Sequence, residues 1–401
     1  MVNQLPQGWK EEELGNLVDI FDNLRKPVSS TERLLRIKNK DKSELYPYYG
    51  ATGLVDYIDG YIFDGEYLLL GEDGCPFLEP LKDKAYIISG KTWVNNHAHV
   101  LRAKESKTSN KFLLYYLNKF DYNGIVSGAT RLKLNQNSMK KIPVCYPTDK
   151  DEQEYIVKTL DAVAEMIKLR KETIQLTKDL IPAIFQEMFG DCSENVLIGN
   201  NDYFEIEDGD RGNNYPKKEE LLEKGDCLFL SAKNVTEDGF VFKENVFISQ
   251  DKDKKLRTGK LKRHDFVMMT RGTIGNIAYY SPDIPYDNIR INSGMVIIRI
   301  KQGFEPLYFL QAMRSDNIKF QINNLITGAA VPQLPIHLIK KISLKLADNT
   351  KQKEFADKLE QINQNLEVQQ KDLDRLQELF DQLLQKAFTG ELTRGEDYGK
   401  H

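Results

Sequence analysis

The chain has 401 residues, 56 Lys and Arg against 60 Asp and Glu for a net charge of −4, and 40% hydrophobic with 29% charged residues. That length allows two or three domains, each burying its own core, and no apolar run nears the roughly 18 residues of a membrane span. The acidic total argues mildly against nucleic-acid binding until charge is read locally.

The start, Met1-Val2-Asn3-Gln4-Leu5-Pro6, lacks a basic region followed by an apolar stretch, so no signal peptide is expected. Cys75, Cys145, Cys192 and Cys227 are too dispersed for a metal knuckle. A cytoplasmic protein with reduced thiols is expected.

Residues 1–150 are rich in Tyr, Gly and short β-like runs at 61–63, 67–70, 85–88 and 99–101, separated by Asp59-Gly60, Asp64-Gly65 and Asp73-Gly74 turns. A helix is predicted from Asn110 to Lys119, which makes this segment α+β. From Asp151 the texture changes. Ile156, Leu160, Val163, Ile167, Ile174, Ile181, Ile184 and Met188 fall on alternating steps of four and three, the seam of a coiled coil, with Arg170 and Thr177 at its polar positions. Asp149 or Asp151 caps the start, Gly190 closes the end, and Pro182 predicts a bend.

Residues 191–347 form a second α+β segment with predicted strands at 227–230, 241–247, 266–270 and 295–300 and a helix over 306–323. A second heptad helix follows over 348–390, carried by Phe355, Leu359, Ile362, Leu366, Leu373, Leu376, Phe380, Leu383 and Ala387, with Gln369 where the first helix has Arg170. Residues 391–401 make a polar tail.

The chain is duplicated. Tyr67-Leu68-Leu69-Leu70-Gly71 answers Phe266-Val267-Met268-Met269-Thr270, Val94-Asn95-Asn96-His97-Ala98-His99 answers Ile291-Asn292-Ser293-Gly294-Met295-Val296, and Ser127-Gly128-Ala129-Thr130 answers Thr327-Gly328-Ala329-Ala330. The repeat is recognisable from about residue 61 to 190. Each heptad helix would leave an apolar stripe in water unless it met a partner, and the other copy is the simplest one. Antiparallel pairing of the two would then give an approximate twofold arrangement with the two α+β segments held apart, as inverted half-sites are read by symmetric DNA binders.

This order, with the runs Tyr46-Pro47-Tyr48-Tyr49-Gly50-Ala51-Thr52-Gly53, Leu70-Gly71-Glu72-Asp73-Gly74, Asp208-Gly209-Asp210-Arg211-Gly212 and Thr270-Arg271-Gly272-Thr273-Ile274-Gly275-Asn276, resembles the specificity subunit of type I restriction-modification enzymes over essentially the whole chain. The resemblance implies two target recognition domains (1–150 and 191–347) and two spacer helices (151–190 and 348–390). It implies a bipartite double-stranded DNA target and assembly with two methyltransferase subunits and with restriction subunits. S-adenosylmethionine, ATP and Mg²⁺ belong to those partners, and this chain is expected to hold no cofactor and no catalytic residue.

Base edges are read by paired donors and acceptors and phosphates by charge. In the first lobe the candidates are Lys91, Asn95, Asn96, His97, His99, Arg102, Arg131, Lys133, Asn135 and Gln136, with Tyr46, Tyr48, Tyr49 and Thr52 as one stacking or phosphate-facing face. The loop 127–133 joins glycine to two cations as a phosphate cradle. In the second lobe they are Arg211, Lys217, Lys218, Lys233, Asn234, Arg271, Thr273, Asn276, Arg290 and Asn292, joined by a basic run containing Lys254, Lys255, Arg257, Lys260, Lys262 and Arg263.

His97 with His99, and Asp208 with Asp210, gather too few ligands for a metal. Phosphate-loop, Gly-x-Ser-x-Gly and His-Glu-x-x-His signatures do not occur. Two other readings remain at this stage: a coiled-coil assembly scaffold without a DNA role, and a stand-alone nuclease or modification enzyme.

Overall fold

The computed structural model describes residues 5–328 and 331–392, so the polar tail expected over 391–401 lies mostly outside the described residues. The chain divides into two compact units: residues 1–171 with 371–401, and residues 172–370.

In the first unit the strand Trp9–Glu13 pairs antiparallel with Pro143–Pro147, tying the entry of the lobe to the residues just before its long helix. A four-stranded antiparallel sheet follows in the order Val18–Ile20, Ala98–Ala103, Tyr67–Gly71, Ala85–Ile88. Strand alternation sorts its side chains into two cores. Leu68, Leu70 and Leu101 pack with Phe112, Leu113 and Leu117 of the helix Asn110–Lys119, while Leu69, Ala98 and Val100 pack with Phe63 and Val94. A smaller sheet runs Gly53–Ile58, Tyr46–Gly50, Lys91–Val94, Phe63–Asp64, with Tyr46–Gly50 and Lys91–Val94 parallel.

The second unit repeats this plan. Asn195–Leu197 pairs with Ser343–Lys345, and its sheet runs Phe204–Asp208, Met295–Ile300, Phe266–Met269, Ile277–Tyr279. Cys227–Phe229 lies parallel to Ile289–Arg290, as Tyr46–Gly50 does to Lys91–Val94. The helix predicted over 306–323 is broken at Ser315 into Pro306–Arg314 and Asp316–Leu325, because Ser315 is extended and its hydroxyl caps the second piece. Of the strand predicted over 241–247, only Phe247–Ile248 forms.

Strand register corrects one detail of the repeat. Leu68 and Leu70 face the helix-side core of the first unit, and Phe266 and Met268 face that of the second. Leu68 therefore corresponds to Phe266, one residue away from the alignment read from sequence, which would have exchanged the two faces of the strand. The repeat also begins earlier than residue 61. Leu14 donates its backbone N–H to the Ile142 carbonyl as Ile198 does to Ile342, and Gly15 and Gly199 lie so close to Lys140 and Lys340 that an added Cβ would sit 3.0 Å and 2.7 Å from them.

The long helices are Lys150–Phe189 and Asn349–Thr389, each about 60 Å by helical rise. Asp149 caps the first by accepting from the Asp151 N–H, and Asp348 caps the second by accepting from Thr350 and Lys351. Pro182 lies inside the first helix, which continues past it to Phe189. In the first unit Ile156 and Leu160 share a core with Leu384 and Ala387; in the second, the Phe185 and Phe189 rings lie 5.4 and 5.7 Å from that of Phe355. Within each unit the start of one helix thus meets the end of the other, so the pairing is antiparallel. Val163, Leu359 and Leu373 are also buried, and Ile167, Ile174, Ile362, Leu366 and Leu376 are half-buried.

Candidate nucleic-acid interface

In the first lobe the strand Tyr67–Gly71 runs into a turn whose backbone is fixed from two sides. Glu72 N–H donates to the His97 carbonyl at 2.8 Å and Gly74 N–H to that of Leu132 at 3.1 Å. Ser127 and Lys133 exchange backbone hydrogen bonds of 3.0 and 2.7 Å, so loop 127–133 closes upon itself. Gly128 has φ +103°, and a Cβ there would lie 2.3 Å from the Arg131 carbonyl oxygen, which only glycine avoids. The loop brings two cations to the turn: Arg131 Nε is 2.5 Å from Asp73 Oδ1, and Lys133 Nζ is 3.4 Å from Glu72 Oε1.

Beneath this surface His99 is fully buried, with Nδ1 2.7 Å from Asp22 Oδ2 and Nε2 2.8 Å from the Leu134 carbonyl oxygen. Both ring nitrogens are therefore engaged within the fold. Burial alone would raise the Asp22 pKa, but hydrogen bonds from His99, Gln136 and the Val100 N–H, with the charge of His99, hold it below the usual carboxylate range.

Ligand atoms of Asp22, Glu72 and His99 lie within 4.8 Å of one another, as a metal would require. The donor set does not fit one. Both His99 nitrogens are engaged, and Arg25 Nη1, 2.7 Å from Glu72 Oε2, brings a fixed cation to the same carboxylate. The cluster is an ion-pair network supporting the turn.

The second lobe carries the same backbone. Thr270 N–H donates to the Gly294 carbonyl at 2.8 Å, Leu334 N–H to Thr270 at 3.0 Å, and Thr327 and Gln333 exchange bonds of 2.9 Å; Gly328 has φ +89°. The side chains differ. Thr270, Val296, Gln333 and Ile336 stand where the first lobe has Glu72, His99, Lys133 and Gln136, and Arg271 Nη2 is 3.4 Å from Gln333 Oε1. One pair recurs in both lobes: Asp22 and Arg25 at 3.4 Å answer Asp208 and Arg211 at 3.2 Å. Arg25, which also pairs with Glu72, has 13% of its side chain exposed, whereas Arg211, which bonds Asp208 and the Ser293 carbonyl, has 50%.

Five candidates are removed from the contact surface because their side chains are inside the fold. Tyr48 lies under Arg33 and hydrogen-bonds the Val28 backbone, so Tyr46, Tyr48 and Tyr49 do not share one face; Tyr49 packs instead beside Tyr86. Asn95 accepts from the His97 N–H, and His99 serves the network above. Asn234 ties Ser231 to Val241 and Glu244. Arg290 binds the Asp253 carboxylate and the carbonyls of Thr258 and Leu256.

Tyr46, Tyr49, His97, Arg102, Gln136, Asn276 and Asn292 are half-buried. Arg102 lies 4.3 Å over the Tyr67 ring, Gln136 donates to Asp22, and Asn292 accepts from the Gly294 N–H. Thr52, Lys91, Asn96, Arg131, Lys133, Asn135, Arg211, Lys217, Lys233, Lys255, Arg257, Arg271 and Thr273 are exposed. The basic run is partly neutralised from within: Lys252 pairs with Glu220, Lys260 with Asp253 and Arg263 with Asp287. Lys254, Lys255, Arg257 and Lys262 point outward. Sequence reading missed Asp22, Arg25 and Gln333; the Asp-x-x-Arg spacing repeated at 22 and 208 was the available signal.

Two like α+β lobes, each with a cation-bearing turn and loop and each followed by a long helix, define a duplicated recognition protein. A family model described as the type I restriction modification DNA specificity domain matches residues 6–178 and again 197–378, and the chain belongs to that family. A putative type I restriction enzyme specificity subunit of Haemophilus influenzae is 32% identical over 284 residues, covering 69% of each chain.

Among solved structures, the type I S subunit from M. genitalium matches with a TM-score of 0.56 at 16% identity, over 97% of this chain and 98% of that one. A chain from a structure concerned with assembly and conformational transition of the type I system matches with a TM-score of 0.56 at 15% identity, over 97% and 100%. Membership makes this a specificity subunit, noncatalytic itself, with DNA and a methyltransferase subunit as partners. No helix among the described residues is long and apolar enough to cross a membrane.

Proposed function

We propose that the two lobes, approximately 1–150 and 191–347, are target recognition domains that read the two dissimilar halves of a bipartite DNA site. The helices over 151–190 and 348–390 act as a ruler for the gap. The observation that carries this reading is one turn-and-loop backbone built twice with different exposed side chains, each copy followed by a helix of about 60 Å.

The exposed cations of the turn, the loop and the run around Lys255 and Arg257 hold the DNA. Two methyltransferase subunits dock on the helices, whose exposed Met166, Leu176, Leu180, Val368 and Leu379 support an apolar interface. Restriction subunits complete the complex in the cytoplasm, and S-adenosylmethionine, ATP and Mg²⁺ are bound by the partners.

Inserting seven residues into one long helix should change the number of base pairs between the half-sites and leave both half-sites intact. Sequencing of methylated bases in cells carrying the complete operon checks this; an unchanged gap with assembly retained would overturn the ruler.

A further inference from the structure

Both lobes place the turn after their central strand against the loop closed by Gly128 or Gly328, through one backbone bridge: Asp73 opposite Lys133 in the first, Arg271 opposite Gln333 in the second. The backbone hydrogen bonds are the same, yet the side chains have been exchanged. The first lobe puts carboxylates on the turn and cations on the loop; the second puts its cation on the turn and leaves Val331 and Gln333 on the loop. A fold that is kept while its outward side chains change is carrying a difference in what is read. These side chains are also free to meet a ligand: Arg131 is 58% exposed on its side chain and Val331 is 70% exposed.

Resting on the recognition reading above, we propose that the side chains at this bridge, Asp73, Arg131 and Lys133 in the first lobe and Arg271, Val331 and Gln333 in the second, determine the specificity of each lobe. Arg131 reads a guanine for the first half-site, and Arg271 with Gln333 reads purines for the second. The chemistry follows from the geometry. Asp73 holds Arg131 by Nε, which leaves the two terminal nitrogens of the guanidinium as a fork for guanine O6 and N7. Arg271 steadies Gln333 through Oε1, setting beside each other a guanidinium and an amide, the groups that pair with guanine and adenine edges in the major groove. Val331, next to them, offers an apolar surface to a thymine methyl group.

The test uses the complete methyltransferase complex and a map of the sequences it methylates. Arg131→Lys keeps the charge but loses the fork. It should relax one position of the first half-site, with discrimination there falling about tenfold or more, while the second half-site and the gap stay as they were. Arg271→Ala with Gln333→Ala should relax positions of the second half-site alone. An unchanged recognition sequence in both variants would overturn the assignment. So would a uniform loss of methylation at every site with the same preferred bases, the behaviour of phosphate contacts. Sequence-independent DNA binding by the unaltered complex would instead overturn the recognition reading itself. Melting temperature and assembly of each variant report that these surface changes leave the fold in place.

Discussion

At the residue scale, the two lobes support their reading turn differently. The first uses charge: Asp22, Arg25, Glu72, His99 and Lys133 interlock, whereas the second keeps only the Asp208–Arg211 pair and has Thr270, Val296 and Gln333 in place of Glu72, His99 and Lys133. Because the Asp22 pKa is lowered in the folded state, its stabilisation is complete above the unfolded value of about 3.9 and is lost as pH falls through the lower folded value. Asp22→Asn should therefore destabilise the protein at neutral pH by an amount that shrinks as pH drops below about 4. Denaturant midpoints of both proteins against pH check this, and a constant difference at every pH would contradict it. Arg131, Lys133 and Arg271, chosen from the sequence as DNA-contact candidates by residue type and a glycine loop, which are local signals, are exposed. Sequence chemistry could not separate His99, Asn234 or Arg290 from them, since a buried polar residue is distinguished only by partners distant in the chain, such as Asp22 for His99 and Asp253 for Arg290.

At the element scale, heptad spacing gave both long helices nearly to their ends, and the helix Asn110–Lys119 emerged at its expected bounds. Strands of two or three residues, such as Val18–Ile20 and Ile289–Arg290, were not legible; they are held by pairing with distant strands and carry no alternation long enough to see. Each helix start is anchored by a buried glutamine that sequence reading passed over. Gln153 donates to the Pro147 and Lys107 carbonyls, and Gln352 to those of Ala347 and Gly303. Gln369 is different. Its amide reaches Thr177 Oγ1 at 3.2 Å, but its Oε1 is buried without a partner, while Thr177 already donates to the Thr173 carbonyl. Gln369→Leu should stabilise the second unit by about 1 kcal/mol, read as a higher denaturant midpoint. A lower midpoint would show that the amide holds the seam in place. Arg170, 3.6 Å from Asp372 and about a third exposed, belongs to a pair worth at most about 1 kcal/mol.

At the scale of the whole molecule, neither compact unit is made from one lobe and one helix. The first takes residues 371–401 for its core, where Leu384 and Ala387 join Ile156 and Leu160 and the Phe388 ring meets Phe112 and Tyr116. Removing residues 371–401 should expose that core, so limited proteolysis of the shortened chain should cut within residues 1–171 and spare 172–370. Equal susceptibility of both segments would refute the division. The second unit, by contrast, is one continuous stretch of chain. During translation the ribosome delivers the first lobe early, yet that lobe must wait, half-finished and sticky, for Leu384, Ala387 and Phe388 before its core can shut. The part born first matures last, and a stop codon placed before Leu384 would injure the first lobe rather than the second.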